Sequence, residues 1–183
     1  MAAAARRRIL RRRGARKGSA AIEFALLAPI LFVLIMGIIE IGIMFLAQFV
    51  LQNAVDEAAR LIRTGQAAAA NMSKAQFRQY VCDRVSALMA CDANLQIDVE
   101  TPSALSVSAY TSALKADGTL DSNLDNYAIG DVCSVVLVRA FYTWEVATPV
   151  LTPFMVNMAG SKHLLSAAAA FRNEPYSTSV SGC

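Results

Sequence analysis

The longest hydrophobic pattern lies near the start of the chain. No charged residue occurs from Phe24 to Ile39, and apolar character resumes after Glu40 as far as Val50. A bilayer crossing takes about 20 residues, so Ile22 to about Gly42 suffices, with one acid near each end. Pro29 interrupts this run. An interior proline removes a backbone hydrogen bond and can kink or locally melt a helix, a break membranes tolerate where neighbours satisfy the freed carbonyl. Gly37 and Gly42 lack GxxxG spacing and so define no particular dimer face. Leu51, Ala54, Val55, Ala58, Leu61 and Ile62 then recur at three and four residues, which predicts that the helix continues. Asp56 and Arg60 can pair across one turn of it, and Thr64 with Gly65 is a suitable stop. Ser19 to Arg63 as one helix would measure about 65 Å. That is about twice what a bilayer needs, so its second half must pack on protein, most simply on its own chain.

The rest alternates between turn-forming and periodic stretches. Gln66 to Asn71 reads as a short linker, and Ser73 with Gln76 forms a capping box opening a second helix. Phe77, Val81, Val85 and Leu88 supply its apolar face, flanked by Tyr80 and Met89. Leu95 to Glu100 alternates as a half-buried strand does, and Leu105, Val107 and Ala109 extend the pattern. Lys115 to Gly130 is a loop rich in Asp, Asn, Gly and Ser. Val132 to Val146 is the strongest strand, with a nearly continuous apolar run that predicts burial on both faces. Pro149 ends it, Pro153 breaks the next stretch, and Leu164 to Phe171 is the last strand despite its alanines. The predicted fold class is α+β: a long N-terminal helix, a second helix, and three or four antiparallel strands packed on the far half of the first.

Charge divides the chain the same way. The formal net charge is +3, yet eight of the 17 lysines and arginines (Arg6, Arg7, Arg8, Arg11, Arg12, Arg13, Arg16 and Lys17) precede Gly18, where no acid occurs. From Ser19 onward nine basic residues face all 14 acidic ones. The basic balance therefore belongs to a leader, which argues against nucleic-acid binding. An Arg-rich, acid-free leader also suits a mitochondrial transit peptide or the start of a secretion signal. The intensely apolar continuation argues against the first, and the lack of a small-x-small cleavage site against the second. The repetitive arginine block lacks the flanking motif of a twin-arginine signal. Basic residues on one flank, with Asp56 and Glu57 on the other, place the N-terminus in the cytoplasm and the remainder outside.

Cys82, Cys91, Cys133 and Cys183 all fall on the predicted outer side, where an even count suggests two disulfides. Three pairings are open. A straight helix would hold Cys82 and Cys91 about 13 Å apart, beyond disulfide reach. A chain that turns back near Leu88 lets them meet, and the reading leans to Cys82–Cys91 with Cys133–Cys183. A zinc site is disfavoured, since no CxxC pair exists and His163, expected in an exposed loop, is the sole histidine. Asp117, Asp121, Asp125 and Asp131 invite a calcium reading, but lack the EF-hand ligand order, and a solvated loop is preferred. Tyr142 and Trp144 read as packing residues or a contact patch. No nucleophile motif, phosphate loop or metal-ligand cluster appears, so neither an enzyme nor a cofactor is expected.

The remaining signal is Lys17-Gly18-Ser19-Ala20-Ala21-Ile22-Glu23-Phe24. A basic leader ends at a glycine, and a carboxylate enters an apolar run five residues later. Such a charge costs about 2.5–3.5 kcal/mol at mid-bilayer on insertion scales, less near the interface. This stretch resembles the processing site of type IV pilins as used in tight-adherence (Tad, Flp-type) systems. To about Gly65 the chain is similar to the TadE-like family, and Arg172-Asn173-Glu174-Pro175-Tyr176 also looks TadE-like.

The resemblance implies a basic leader (1–18), a membrane and extended helix (19–65) and an extracytoplasmic α+β domain (66–183) with a pilin-like layout. It implies cleavage between Gly18 and Ser19 by a prepilin peptidase. It assigns Glu23 and Phe24 to assembly, Glu23 meeting the new amine of a neighbouring subunit, with Glu40 a second candidate contact unless it simply reaches the headgroups. The implied role is a minor pilin or pseudopilin acting in pilus assembly or initiation, hence in adhesion or secretion. The implied partners are other pilins, the assembly platform and the bacterial inner membrane. The outer domain departs from major pilins of such systems, which are little more than a helix. The competing reading is an uncleaved, single-pass anchored binding protein, which leaves Gly18 and Glu23 unexplained.

Overall fold

A computed structural model describes residues 2–91, 93–103, 112–176 and 183, with side chains from Ser19 onward. Helix α1 spans Ala2–Arg63 and continues through Pro29. Residues up to Ile41 form one unit by packing, and Gly42 to Cys183 form a second. In the first unit, described side chains are largely exposed, with Leu26, Leu27 and Ile30 at 66–70 %. The segment from Ser19 contains a candidate membrane span whose most apolar 18-residue window has a mean hydropathy of 2.8.

In the second unit α1 has a buried stripe. Ala47, Leu51, Ala54, Val55, Ala58 and Ile62 are nearly inaccessible, and their three- and four-residue spacing keeps them on one face. The helix stops where the glycine signal placed it. Gly65 adopts φ +75°, and its N–H reaches the carbonyl of Ile62. The expected linker is instead a one-turn helix, α2 (Gln66–Ala69), whose Ala67 is buried in the core. Helix α3 (Lys74–Val85) opens on the capping box, Ser73 accepting from the Gln76 N–H while Gln76 accepts from the Ser73 N–H. Phe77, Val81 and Val85 face the core. The helix ends at Val85, and the turn after it buries Met89 more deeply than Leu88.

Among the described residues, three antiparallel strands form a sheet in the order β1 (Leu95–Glu100), β2 (Val135–Glu145), β3 (Lys162–Arg172), giving the α+β fold. The register sets Asp98 opposite Arg139 and Arg139 opposite Ala168. Central strand β2 is buried on both faces. Val136, Val138, Ala140 and Tyr142 join the core that includes the buried stripe of α1. On the other face, the 121–126 loop crosses β1, where Gln96 Nε2 donates to the carbonyls of Asp121 and Leu124.

Both sheet edges are managed, as exposed edges invite unwanted pairing. Residues 126–128 bond to Val99 on the β1 edge. Gln48 and Gln52 of α1 donate to the carbonyls of Ser166 and Ala168 on β3. A one-turn helix, α4 (Thr152–Met155), lies between β2 and β3. The expected extension through Leu105, Val107 and Ala109 lies outside the described residues.

Candidate functional site

Gly18, Ser19, Glu23 and Phe24 all lie within α1. Ser19 and Glu23 are one turn apart, and the Ser19 hydroxyl donates to Glu23 Oε1 at 2.9 Å. Both are exposed, and Ile22 and Phe24 beside them are each 65 % exposed. A carboxylate is thus carried on a bare apolar helix surface with a neutral hydroxyl on its own turn. In water this costs nothing unusual. In a bilayer such an acid needs a polar or cationic partner to offset its burial. Glu40 is different: it is buried, at 8 % exposure. The two acids are not brought together, since 17 residues of helix separate them by about 25 Å.

The cysteines form two bonds, Cys82–Cys91 with Cα atoms 5.5 Å apart and Cys133–Cys183 at 5.4 Å. The end of α3 at Val85 and the reversal after it bring Cys91 back to Cys82. Cys133 sits at φ +65° in the turn before β2.

Residues 172–176 clasp the end of α1. The Glu174 N–H donates to the Arg63 carbonyl, its carboxylate pairs with Arg63 Nε at 3.3 Å, and the Tyr176 ring covers Gly65. A Cβ at position 65 would collide with that ring, so this glycine is required both by its φ and by the close approach. Asn173 is fully buried and donates through Nδ2 to the carbonyls of Ile129 and Asp131. Asn173 also donates its own N–H to the Ser134 carbonyl.

The sequence reading missed a buried ion pair. Asp98 is inaccessible and Arg139 is 4 % exposed. Arg139 Nη2 and Nε donate to Asp98 Oδ2 at 2.6 and 3.1 Å, and Asn126 donates to Oδ1 from its backbone and side chain. Glu100 adds a second carboxylate 3.2 Å from Arg139. Such a pair is tolerated because nearly every lone pair is used. A signal was present: Arg139 is the one charge within the apolar run of β2, and strand alternation puts Asp98 on the polar face of β1.

The loop aspartates do not converge. Asp117 accepts from the hydroxyl and N–H of Thr119, which hold its carboxyl below its ordinary pKa. Asp121 accepts from the Asn123 N–H and faces Lys115, while Asp125 pairs with Lys74. Among the described residues no group of three potential ligands could hold a metal ion. His163 is not in a loop. It lies on β3, half-buried, with Nδ1 against the Met155 carbonyl. Tyr142 is buried and packs against half-buried Trp144, ring centroids 6.3 Å apart. Asp56 accepts from Gln52 in place of the expected partner Arg60.

Residues 18–60 match the family model described as TadE-like protein, a segment that begins at Gly18 and includes Glu23, Phe24 and Glu40. No curated protein and no solved structure matches the chain.

Proposed function

We propose that this chain, through the TadE-like segment of its first helix, serves as a minor pilin or pseudopilin of a tight-adherence pilus. It is inserted with the basic leader in the cytoplasm and the 66–183 domain across the inner membrane. The observation that carries the reading is the spacing of Gly18, Ser19, Glu23 and Phe24 at the start of the matched segment, directly before an apolar helix long enough to cross a bilayer. The role is structural, in assembly or initiation of the filament, and its partners are a prepilin peptidase, other pilins and the assembly platform.

The physical case rests on one hydrolysis. A glycine before the scissile bond admits the backbone to a tight protease site where a Cβ would obstruct it. Water adds across the Gly18–Ser19 peptide bond, leaving a carboxylate on Gly18 and an ammonium on Ser19. The shortened helix begins at Ser19, so Glu23 now lies near a positive helix end as well as a positive charge. A charge-assisted contact with such an ammonium, on its own or a neighbouring helix, offsets the burial of the acid. Phe24 provides the apolar contact beside it.

The test is N-terminal sequencing of the protein from native membranes with and without the peptidase. A chain starting at Ser19 only when the peptidase is present supports processing. A chain retaining its leader in both cases overturns it and leaves an uncleaved anchor. Glu23→Ala then separates the two roles: insertion is retained or improved, while incorporation into pilus assemblies falls by at least about tenfold if the contact is worth about 1.5–3 kcal/mol.

A further inference from the structure

The connection between β2 and β3 carries an apolar tip that the family match does not cover. Val146 to Ser161 contains no charged residue, and Glu145 and Lys162 flank it as an ion pair at 3.6 Å. The tip is firmly built. Leu151 donates to the Thr148 carbonyl, Met155 to that of Leu151, Met158 to that of Lys162, and Ala159 to that of Gly118. Asn157 Oδ1 accepts from the Leu164 N–H at 2.7 Å. Yet it holds Phe154 at 85 % exposure and Val150 at 57 %. A hydrogen-bonded turn that keeps Leu151, Met155 and Met158 at least half-buried yet turns a phenylalanine and a valine outward marks a contact surface.

Its position within the second unit indicates what it contacts. Gln48 meets Ser166 and Gln52 meets Ala168, so β3 and α1 run side by side in the same direction. From Ser166 back to Lys162 is about 13 Å of strand, whereas from Gln48 back to Gly42 is about 9 Å of helix. The tip beyond Lys162 therefore lies at the Gly42 end of this unit. Ile43, Phe45, Leu46 and Phe49 of α1 are also exposed there, at 42–69 %. Apart from Tyr176, all exposed large hydrophobics among the unit's described residues belong to these two groups. The helix group lies within the Ser19–Arg63 helix that is the candidate membrane span.

We propose that the 146–161 tip is a membrane-surface foot: Phe154 and Val150 enter the lipid headgroup–acyl boundary beside α1. Trp144, half-buried one residue inside the Glu145–Lys162 pair, then lies on the headgroup side, where aromatic rings with a polar edge are favoured. The occupant is the bilayer that α1 enters, so the inference rests on the reading of α1 as a membrane span.

Trp144 is the only tryptophan, which makes the test direct. The full chain carrying Trp144→Phe and Phe154→Trp is reconstituted in phosphatidylcholine vesicles, with and without acyl chains brominated near the headgroup. A chain with Val150→Trp in place of Phe154→Trp supplies an independent reporter. Insertion to the 5–10 Å typical of interfacial segments predicts about twofold or greater quenching by the shallow bromines, with blue-shifted emission. Vesicle flotation reports separately on α1. A chain that floats while both reporters emit as in water, unquenched, overturns the foot and leaves the span intact. A chain that does not float overturns both. A blue-shifted reporter untouched by bromine but dependent on protein-to-lipid ratio assigns the tip to a second protein copy and also overturns the foot.

Discussion

The two stretches of α1, before and after the Ile41–Gly42 boundary, are made of similar residues and meet different fates. Before the boundary, Leu26, Leu27, Ile30, Leu31 and Leu34 stand exposed at 52–70 %. After it, Leu51, Val55 and Ile62 are nearly inaccessible. The contrast lies in how the apolar positions are arranged. The first stretch is apolar all round, which suits a lipid or multi-helix environment. The second has a buried apolar stripe at helical spacing that needs one partner surface, with Gln48, Gln52, Asp56 and Arg60 on other faces and exposed apolar residues only at its start, from Ile43 to Phe49. The two acids that stand out beyond these stripes follow the same division. Glu23 is exposed with a serine hydroxyl, whereas Asp98 is buried with an arginine and an asparagine. An exposed acid on a uniformly apolar helix points to function outside the fold; a paired acid within a layered core points to the fold itself.

Removing each acid gives the largest test of that difference. Asp98→Ala leaves the Arg139 guanidinium buried without its closest counter-ion, with an expected loss of about 3–5 kcal/mol. Urea or thermal unfolding of the full chain in detergent, followed through the sheet signal, would measure it. Glu23→Ala measured identically should change stability by under about 0.5 kcal/mol. Equal losses from both would show that Glu23 also supports the fold and would weaken its assignment to assembly.

A leucine pair divides the helix more finely. Leu51 is fully buried and Leu31 is 52 % exposed. Leu51→Ala should cost about 2–5 kcal/mol through lost transfer energy and a cavity. Leu31→Ala should leave unfolding of the second unit unaltered. A shared loss would mean that α1 unfolds cooperatively through the boundary.

How far the sequence reveals this arrangement depends on whether the signal is local. The capping box at Ser73 and Gln76, the glycine stop at Gly65, the three strands and the stripe of α1 are all set by residues near one another in the chain, and the structure has each of them. The Gly18–Phe24 spacing is equally local. What the sequence hides is contact between distant segments. Gln66 to Asn71 looks like a linker because its alanines carry no amphipathic pattern, yet Ala67 is fully buried in the core. His163 looks like a loop residue because Gly160 and Ser161 precede it, but β3 begins at Lys162 and pairs through to Glu145. The clasp of Glu174 and Tyr176 on the end of α1 spans over 100 residues of sequence and has no local pattern.

The smallest expected effect bears on the second unit alone and is read by pH. Tyr127 packs at a tilt against Phe77, ring centroids 5.5 Å apart, and its hydroxyl donates to the Met72 carbonyl at 3.1 Å. Partial burial disfavours the phenolate and raises its pKa above the ordinary value. The unfolded chain then releases this proton at lower pH than the folded one. Below the unfolded value, near pH 10, the contribution is fully present; as pH rises from there through the raised folded value, stability falls. Tyr127→Phe should remove that alkaline component while costing about 1 kcal/mol at neutral pH for the lost hydrogen bond. Unfolding midpoints of both chains from pH 8 to 11 would converge at the alkaline end. Parallel curves would place the alkaline loss on other groups and reduce Tyr127 to a packing residue beside Phe77. The first unit has no such group: from Ser19 to Ile41 its titratable side chains are Glu23 and Glu40. A difference between the two proteins confined to alkaline pH therefore reports on the packed unit and leaves the exposed stretch of α1 silent.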